Sequence, residues 1–268
     1  FHMGLPVSGK NLFPSNIQGL PTWFTIRVDE DGHVARRREV DLLVAMNPAS
    51  AEKDVLSLPA GASAVYDRAL GLERTRSGDV KLYPVPFQDL VREVCEPVAL
   101  RKLVVNMIYV GVVAHLLDID LAEVDRALDQ AFGKKPKALN LNRDAVKAGV
   151  AWAKAHADAR PAVRVERRDL TKGKILVDGN TATAVGALMA GVTVVAWYPI
   201  TPSSGVAESL LELGEAWRRD PATGKTTLAV LQAEDELAAV RMAIGAGWAG
   251  ARSMTATSGP GISLMSEF

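Results

Sequence analysis

The sequence predicts two α/β units in series, the second a doubly wound parallel sheet. Three observations carry this. Residues 175–268 alternate helical and strand patterns three times, the signature of parallel strands with crossover helices. The run "VTVVAWY" (192–198) is continuously apolar, as a strand covered on both faces requires. Upstream, short apolar strands give way near residue 99 to a long helical stretch, so the first unit is also mixed.

In chain order, "TWFTIRV" (22–28), "DEDG" and "HVARR" predict a strand, a turn and a second strand. In "VDLLVAMNPASAEKDVLSL" (40–58) a buried strand precedes a helix capped by Asn47, with Pro48 at its first position. "SAVYD" and "DVKLYPVPF" predict further strands. Residues 99–157 are helical, with Asp120 capping one helix and Gly133 following its end. The run "VVNMIYVGVVAHLL" (104–117) falls short of the roughly 20 residues of a membrane span and follows Arg101 and Lys102, so it predicts a buried core helix. The charged, proline-containing residues 158–174 predict an interdomain linker with a solvated basic face.

After the linker, "NTATAVGALMAG" predicts a helix capped by Asn180 and stopped by Gly191. "SSGVAESLLELGEAW", opened by Ser203 and Ser204 as caps, predicts a helix. "TTLAVLQ" predicts a strand, "EDELAAVRMAIGAGWAG" a helix and "SMTATS" a strand. Ligands of such sheets sit beyond the carboxyl ends of the strands. Three polar clusters fall there: Tyr198 to Ser204, Gln232 to Glu236, and Thr257 to Gly261.

The totals exclude several classes. Lysine plus arginine equal aspartate plus glutamate at 31 each, so nucleic-acid binding has no electrostatic support. Cys95 is the single cysteine, which excludes an all-cysteine cluster within the chain and fits a reducing, cytoplasmic setting. The four histidines lack metal-ligand spacing. No signal peptide is visible. The chain starts without methionine and stops inside a predicted helix, as a piece of a longer polypeptide would. "GAGWAG" (245–250) satisfies G-x-G-x-x-G but ends a helix instead of opening one, which weighs against a nicotinamide-dinucleotide enzyme. "TGKTT" (223–227) has Arg219 where a phosphate loop needs glycine, and it precedes a strand.

Within the candidate site, Tyr198-Pro199-Ile200-Thr201-Pro202 forms a corner that continues neither strand nor helix, because each proline lacks an N–H and fixes its φ. Glu234, Asp235 and Glu236 stand where a strand becomes a helix. They suit the helix dipole, or one of them is a carboxyl held in an apolar cleft with a raised pKa. "TSGPG" adds Ser258 and Gly259 on a tight loop.

Three stretches resemble the alpha subunit of the 2-oxoacid:ferredoxin oxidoreductases: "DGNTATAVGALMAGVTVVAWYPITPSS", "LQAEDELAAVRMAIGAGWAGAR" and "MTATSGPGISLMSE". "SGKNLFPSNIQGLPTWFTIRV" and "EVDLLVAMNPASAEKD" resemble the family's gamma domain, fused ahead of the alpha part, and the combination is most similar to the 2-oxoglutarate members. The resemblance implies a gamma-type domain over 1–157, the linker 158–174, and a thiamine-diphosphate pyrimidine-type domain over 175–268. It implies oxidative decarboxylation of a 2-oxoacid, with coenzyme A as acceptor of the acyl group and ferredoxin as acceptor of electrons. Glu234 is then the carboxyl that binds the aminopyrimidine of thiamine diphosphate. Thr201 binds the substrate carboxylate, and Tyr198, Pro199, Ile200, Ser258 and Gly259 line the cofactor. Mg2+ and a [4Fe-4S] cluster are expected on a separate beta subunit, in a hetero-oligomer with no membrane or nucleic-acid partner. One departure stands out: where many gamma domains carry an arginine loop, this sequence has Asn16-Ile17-Gln18-Gly19-Leu20. Lys10 is a candidate replacement cation, for coenzyme A or the distal carboxylate of 2-oxoglutarate. A non-catalytic subunit that shapes a partner's pocket is the competing reading.

Overall fold

The computed structural model describes residues 1–12, 20–76 and 78–268, and divides the chain into two compact units, Phe1–Lys174 and Ile175–Phe268. The 16–20 loop lies outside the described residues except for Leu20.

The first unit opens with an antiparallel hairpin, β1 (Val7–Leu12) and β2 (Trp23–Val28), in register from Val7↔Val28 to Leu12↔Trp23. Only β2 was expected. Residues 29–41 form a loop, so the strand expected at "HVARR" is absent; its backbone is bonded instead to side chains of the hairpin. Next come β3 (Leu42–Ala45), α1 (Ala51–Leu56), β4 (Ser63–Asp67) and β5 (Lys81–Val85), with the strands parallel in the order β3-β4-β5. The central strand feeds two cores because strand side chains alternate: Val65 joins one cluster with Phe87 and Ile108, while Ala64 and Tyr66 join Val55 in another. Asn47 does not cap α1. Its side chain accepts from Ala49 N at 3.0 Å, closing a turn around Pro48, and the helix starts three residues beyond Pro48.

Four helices follow: α2 (Phe87–Val94), α3 (Val98–Leu116), α4 (Leu121–Phe132) and α5 (Pro136–His156). Phe87 opens a helix instead of closing the strand expected there. α3 is long and apolar enough to cross a membrane, but its buried stripe packs against α5 at backbone distance. A Cβ on Gly111 would overlap the Val146 carbonyl, and one on Gly149 the Ile108 carbonyl. Asp120 caps α4 by accepting from Ala122 N at 2.9 Å, with Gly133 at the far end.

Residues 158–174 have no regular structure yet run along the first unit. Val165 N donates to Leu117 O (2.7 Å), Arg168 N to Met3 O and Leu170 N to Gly4 O (both 2.8 Å). Arg167 of this segment is not simply solvated: it pairs with Asp120 at 2.6 Å and Glu123 at 2.8 Å.

The second unit runs α6 (Gly179–Met189), β6 (Val194–Trp197), α7 (Ser204–Trp217), β7 (Ala229–Gln232), α8 (Glu236–Trp248), β8 (Ser253–Met254) and α9 (Gly259–Met265). Its strands are all parallel, in the order β7-β6-β8. Ala184, Leu188, Val195, Leu210 and Leu228 form its core. The cap of α6 is Asp178, not Asn180: it accepts from Thr181 N at 3.0 Å and from Thr181 Oγ1 at 2.8 Å, leaving Asn180 inside the first turn. Gly191 has the positive φ (82°) expected of a helix stop. "GAGWAG" occupies the last turn of α8 and the residues before β8, and "TGKTT" precedes β7.

Candidate active site

Because β6, β7 and β8 are parallel, their carboxyl ends open on one edge of the sheet, and the three polar clusters meet there. Ala233 N donates to Trp197 O at 2.8 Å, holding the end of β7 to the end of β6.

The corner after β6 is fixed from three sides. Ser204 Oγ accepts from Ile200 N at 2.9 Å, and Ser203 Oγ donates to Ile200 O at 3.2 Å. Neither serine caps α7 through its side chain, contrary to expectation; both hydroxyls turn back onto the corner. From α6, Asn180 Nδ2 donates to Pro202 O at 2.8 Å. From the third cluster, Ser258 Oγ donates to Thr201 O at 3.4 Å. Thr201 itself is exposed, between half-buried Ile200 and exposed Pro202, and its hydroxyl makes no hydrogen bond among the described residues. Tyr198 is half-buried and Pro199 exposed.

Of the three acids, Asp235 is the N-cap of α8, accepting from Ala238 N at 2.6 Å. Glu236 is half-buried against α9: a Cβ at Gly261 would stand 2.8 Å from its Cγ. Glu234 is exposed and unpaired among the described residues. Among the described residues no apolar cleft encloses it.

The third cluster starts at Thr257, as expected, and Thr255 just before it was not singled out in the sequence. The Thr255 and Thr257 hydroxyl oxygens are buried with no hydrogen-bond partner. A buried hydroxyl without a partner is destabilising by about 1–3 kcal/mol. Gly261 packs so closely on Thr257 that any Cβ would overlap its hydroxyl. Asn180 was also missed in this role; its only sequence signal, a polar residue at a helix start, was read as a cap. Lys10 lies on β1 of the first unit, exposed, opposite Thr25.

Residues 185–268 match the family described as "Pyruvate flavodoxin/ferredoxin oxidoreductase, thiamine diP-bdg", and residues 1–152 match "Pyruvate ferredoxin/flavodoxin oxidoreductase". The chain belongs to this oxidoreductase family. Its relatives include subunit alpha of 2-oxoacid:ferredoxin oxidoreductase 1 from Sulfurisphaera tokodaii, 34% identical over 98% of this chain and 47% of that protein. The 2-oxoglutarate oxidoreductase subunit KorA of Mycobacterium tuberculosis is 29% identical over 85% of this chain and 37% of that protein. Among solved structures, the 2-oxoglutarate:ferredoxin oxidoreductase from Magnetococcus marinus, with 2-oxoglutarate, coenzyme A and succinyl-CoA bound, matches with a TM-score of 0.84. It is 29% identical over 98% of this chain and 44% of that one. The chain spans about half the length of the curated relatives it matches.

A carboxylate unpaired among the described residues and two buried hydroxyls without partners are polar groups of the kind that hydrogen-bond a polar heterocycle such as the aminopyrimidine of thiamine diphosphate.

Proposed function

We propose that this chain is part of the alpha subunit of a thiamine-diphosphate-dependent 2-oxoacid:ferredoxin oxidoreductase acting on 2-oxoglutarate. The observation that carries it is the convergence of Glu234, the Thr201 corner and Ser258 at one sheet edge, inside the stretch that matches the thiamine-binding family. In the proposed reaction 2-oxoglutarate and coenzyme A become succinyl-CoA and CO2, and two electrons and a proton are released, the electrons going one each to two ferredoxins.

When bound, thiamine diphosphate supplies the carbon nucleophile for the 2-oxo carbon. Glu234 shares a proton with the far ring nitrogen of the pyrimidine. Its exposure on this chain implies that the apolar cover comes from protein outside these residues. The Thr201 hydroxyl donates to the substrate carboxylate. Tyr198, Pro199 and Ile200 set its position, with the backbone held by Ser203, Ser204 and Asn180. Ser258 and Gly259 line the cofactor. Lys10 offers a cation to coenzyme A or to the distal carboxylate. Mg2+ and the [4Fe-4S] cluster belong to a beta subunit, since a lone buried Cys95 cannot hold a cluster by itself. The assembly is a cytoplasmic hetero-oligomer. The gamma-type domain, linker and pyrimidine-type domain take the spans 1–157, 158–174 and 175–268.

The test is an assay of the full-length subunit, assembled with its partner, against a panel of 2-oxoacids with coenzyme A and a viologen acceptor. The expected outcome is the highest kcat/KM for 2-oxoglutarate. A preference for pyruvate corrects the substrate, and reduction with none of them overturns the reading.

A further inference from the structure

The first unit carries a cavity of about 490 Å³ at the carboxyl ends of β4 and β5. That volume lies in the range of small-molecule sites, and parallel sheets take their ligands beyond such ends. Leu82, Pro84 and Pro86 supply apolar surface. Trp152 and His156, one turn apart on α5, supply a flat aromatic surface: their rings are stacked, with centroids 5.1 Å apart and planes 11° from parallel. Arg68, just past the end of β4, brings a guanidinium group. Tyr83 also lines the cavity, but its hydroxyl is engaged, donating to Ala159 O at 2.5 Å.

The polar groups without a partner define the ligand. His156 Nδ1 lies 2.9 Å from the Trp152 carbonyl. A carbonyl only accepts, so Nδ1 carries a proton and Nε2 is left as an acceptor. Arg68 donates through Nη2 to Asp89 at 3.1 Å, with both side chains more than half exposed. An exposed pair of this kind holds weakly, and Nε and Nη1 of Arg68 make no hydrogen bond among the described residues. Among the described residues no aspartate or glutamate lines the cavity, so an anion is favoured over a cation. Pro84 and Pro86 have no N–H to offer an added strand, which weighs against an extended peptide.

We infer that this cavity binds a planar aromatic carboxylate, its ring against Trp152 and His156 and its carboxylate on Arg68. The guanidinium fork matches a carboxylate bidentately, and His156 Nε2 accepts from a ring N–H. The inference stands on the cavity alone and does not depend on the proposed reaction.

The experiment is calorimetric titration of the full-length protein with indole-3-acetate, and with indole and acetate as its two halves. Indole-3-acetate should bind at least about 10-fold tighter than either half, because ring and carboxylate are held together. Arg68→Gln, at an exposed position, should keep the fold and weaken indole-3-acetate roughly 10- to 150-fold, the range for a hydrogen bond to a charged group, while indole is unaffected. Asp89→Asn removes the competing carboxylate and should tighten indole-3-acetate by up to about 5-fold. His156→Ala, also exposed, should weaken both indole-3-acetate and indole. Arg74→Gln, at an exposed arginine that does not line the cavity, should change none of these. Coenzyme A at saturation should leave the affinity for indole-3-acetate unchanged. Equal affinity in wild type and Arg68→Gln overturns the inference, as does indole-3-acetate binding no tighter than its halves. Displacement of indole-3-acetate by coenzyme A also overturns it, since the cavity would then belong to the acyl acceptor.

Discussion

Asn180 on α6 donates a 2.8 Å hydrogen bond to the Pro202 carbonyl, joining a helix start to the corner that presents Thr201. The same amide nitrogen lies 2.6 Å from where a Cβ on Gly205 would stand. Asn180→Ala should therefore lower stability by about 0.5–1.5 kcal/mol and loosen the corner. Gly205→Ala should displace the amide and produce the same defect. In a double-mutant cycle on urea midpoints the two should be strongly non-additive; simple additivity would mean that they act separately.

Thr201→Val keeps the shape of the side chain and removes its donor. A bond to a charged group is worth about 1.5–3 kcal/mol, so kcat/KM for the 2-oxoacid should fall roughly 10- to 150-fold, with little change in cofactor affinity. Ser204→Ala should also reduce turnover, because its hydroxyl holds Ile200 N instead of capping α7. Wild-type kcat/KM in Thr201→Val would remove Thr201 from the site.

Glu234→Gln should leave the melting temperature unchanged, since the side chain is exposed. In the assembled enzyme it should stop hydrogen–deuterium exchange at the reactive carbon of bound thiamine diphosphate. Asp235→Ala should do the reverse, weakening α8 by about 0.5–2 kcal/mol through loss of its cap. Exchange at the wild-type rate in Glu234→Gln would favour a chain that only shapes a partner's pocket.

Gly111→Ala or Gly149→Ala should force α3 and α5 apart. Overpacking of this kind is destabilising by about 1–3 kcal/mol, and here the obstacle is backbone, so the upper end is expected. Denaturant midpoints of the single variants give the measurement.

The Arg167 guanidinium beside Asp120 holds its carboxyl below the usual carboxylate range. A depressed folded-state pKa gives stabilisation that is present above the unfolded pKa, about 3.9, and is lost as pH falls through the lower folded value. Hydrogen exchange in residues 164–171 should rise on acidification across that window. Arg167→Gln should already show the raised exchange at neutral pH, with a flatter acid response.

The sequence by itself determined the alternation of helices and strands in residues 175–268. Burial on both faces leaves a continuous apolar run such as "VTVVAWY", and that signal is local. It also placed three polar clusters at the carboxyl ends of β6, β7 and β8, since strand ends follow from the same runs. Tertiary structure decided how polar side chains were shared. Asn180, Ser203 and Ser204 were all read as helix caps, because a polar residue at a helix start has one obvious local partner. The carbonyls of Pro202 and Ile200 became the actual partners only when the corner folded back over α6 and α7. Likewise the charges of residues 158–174 looked free until Asp120 and Glu123 were brought beside Arg167 from more than forty residues away. Helix and strand formation answers to neighbours in the chain. The choice among competing hydrogen-bond partners answers to groups that only the fold brings within 3 Å.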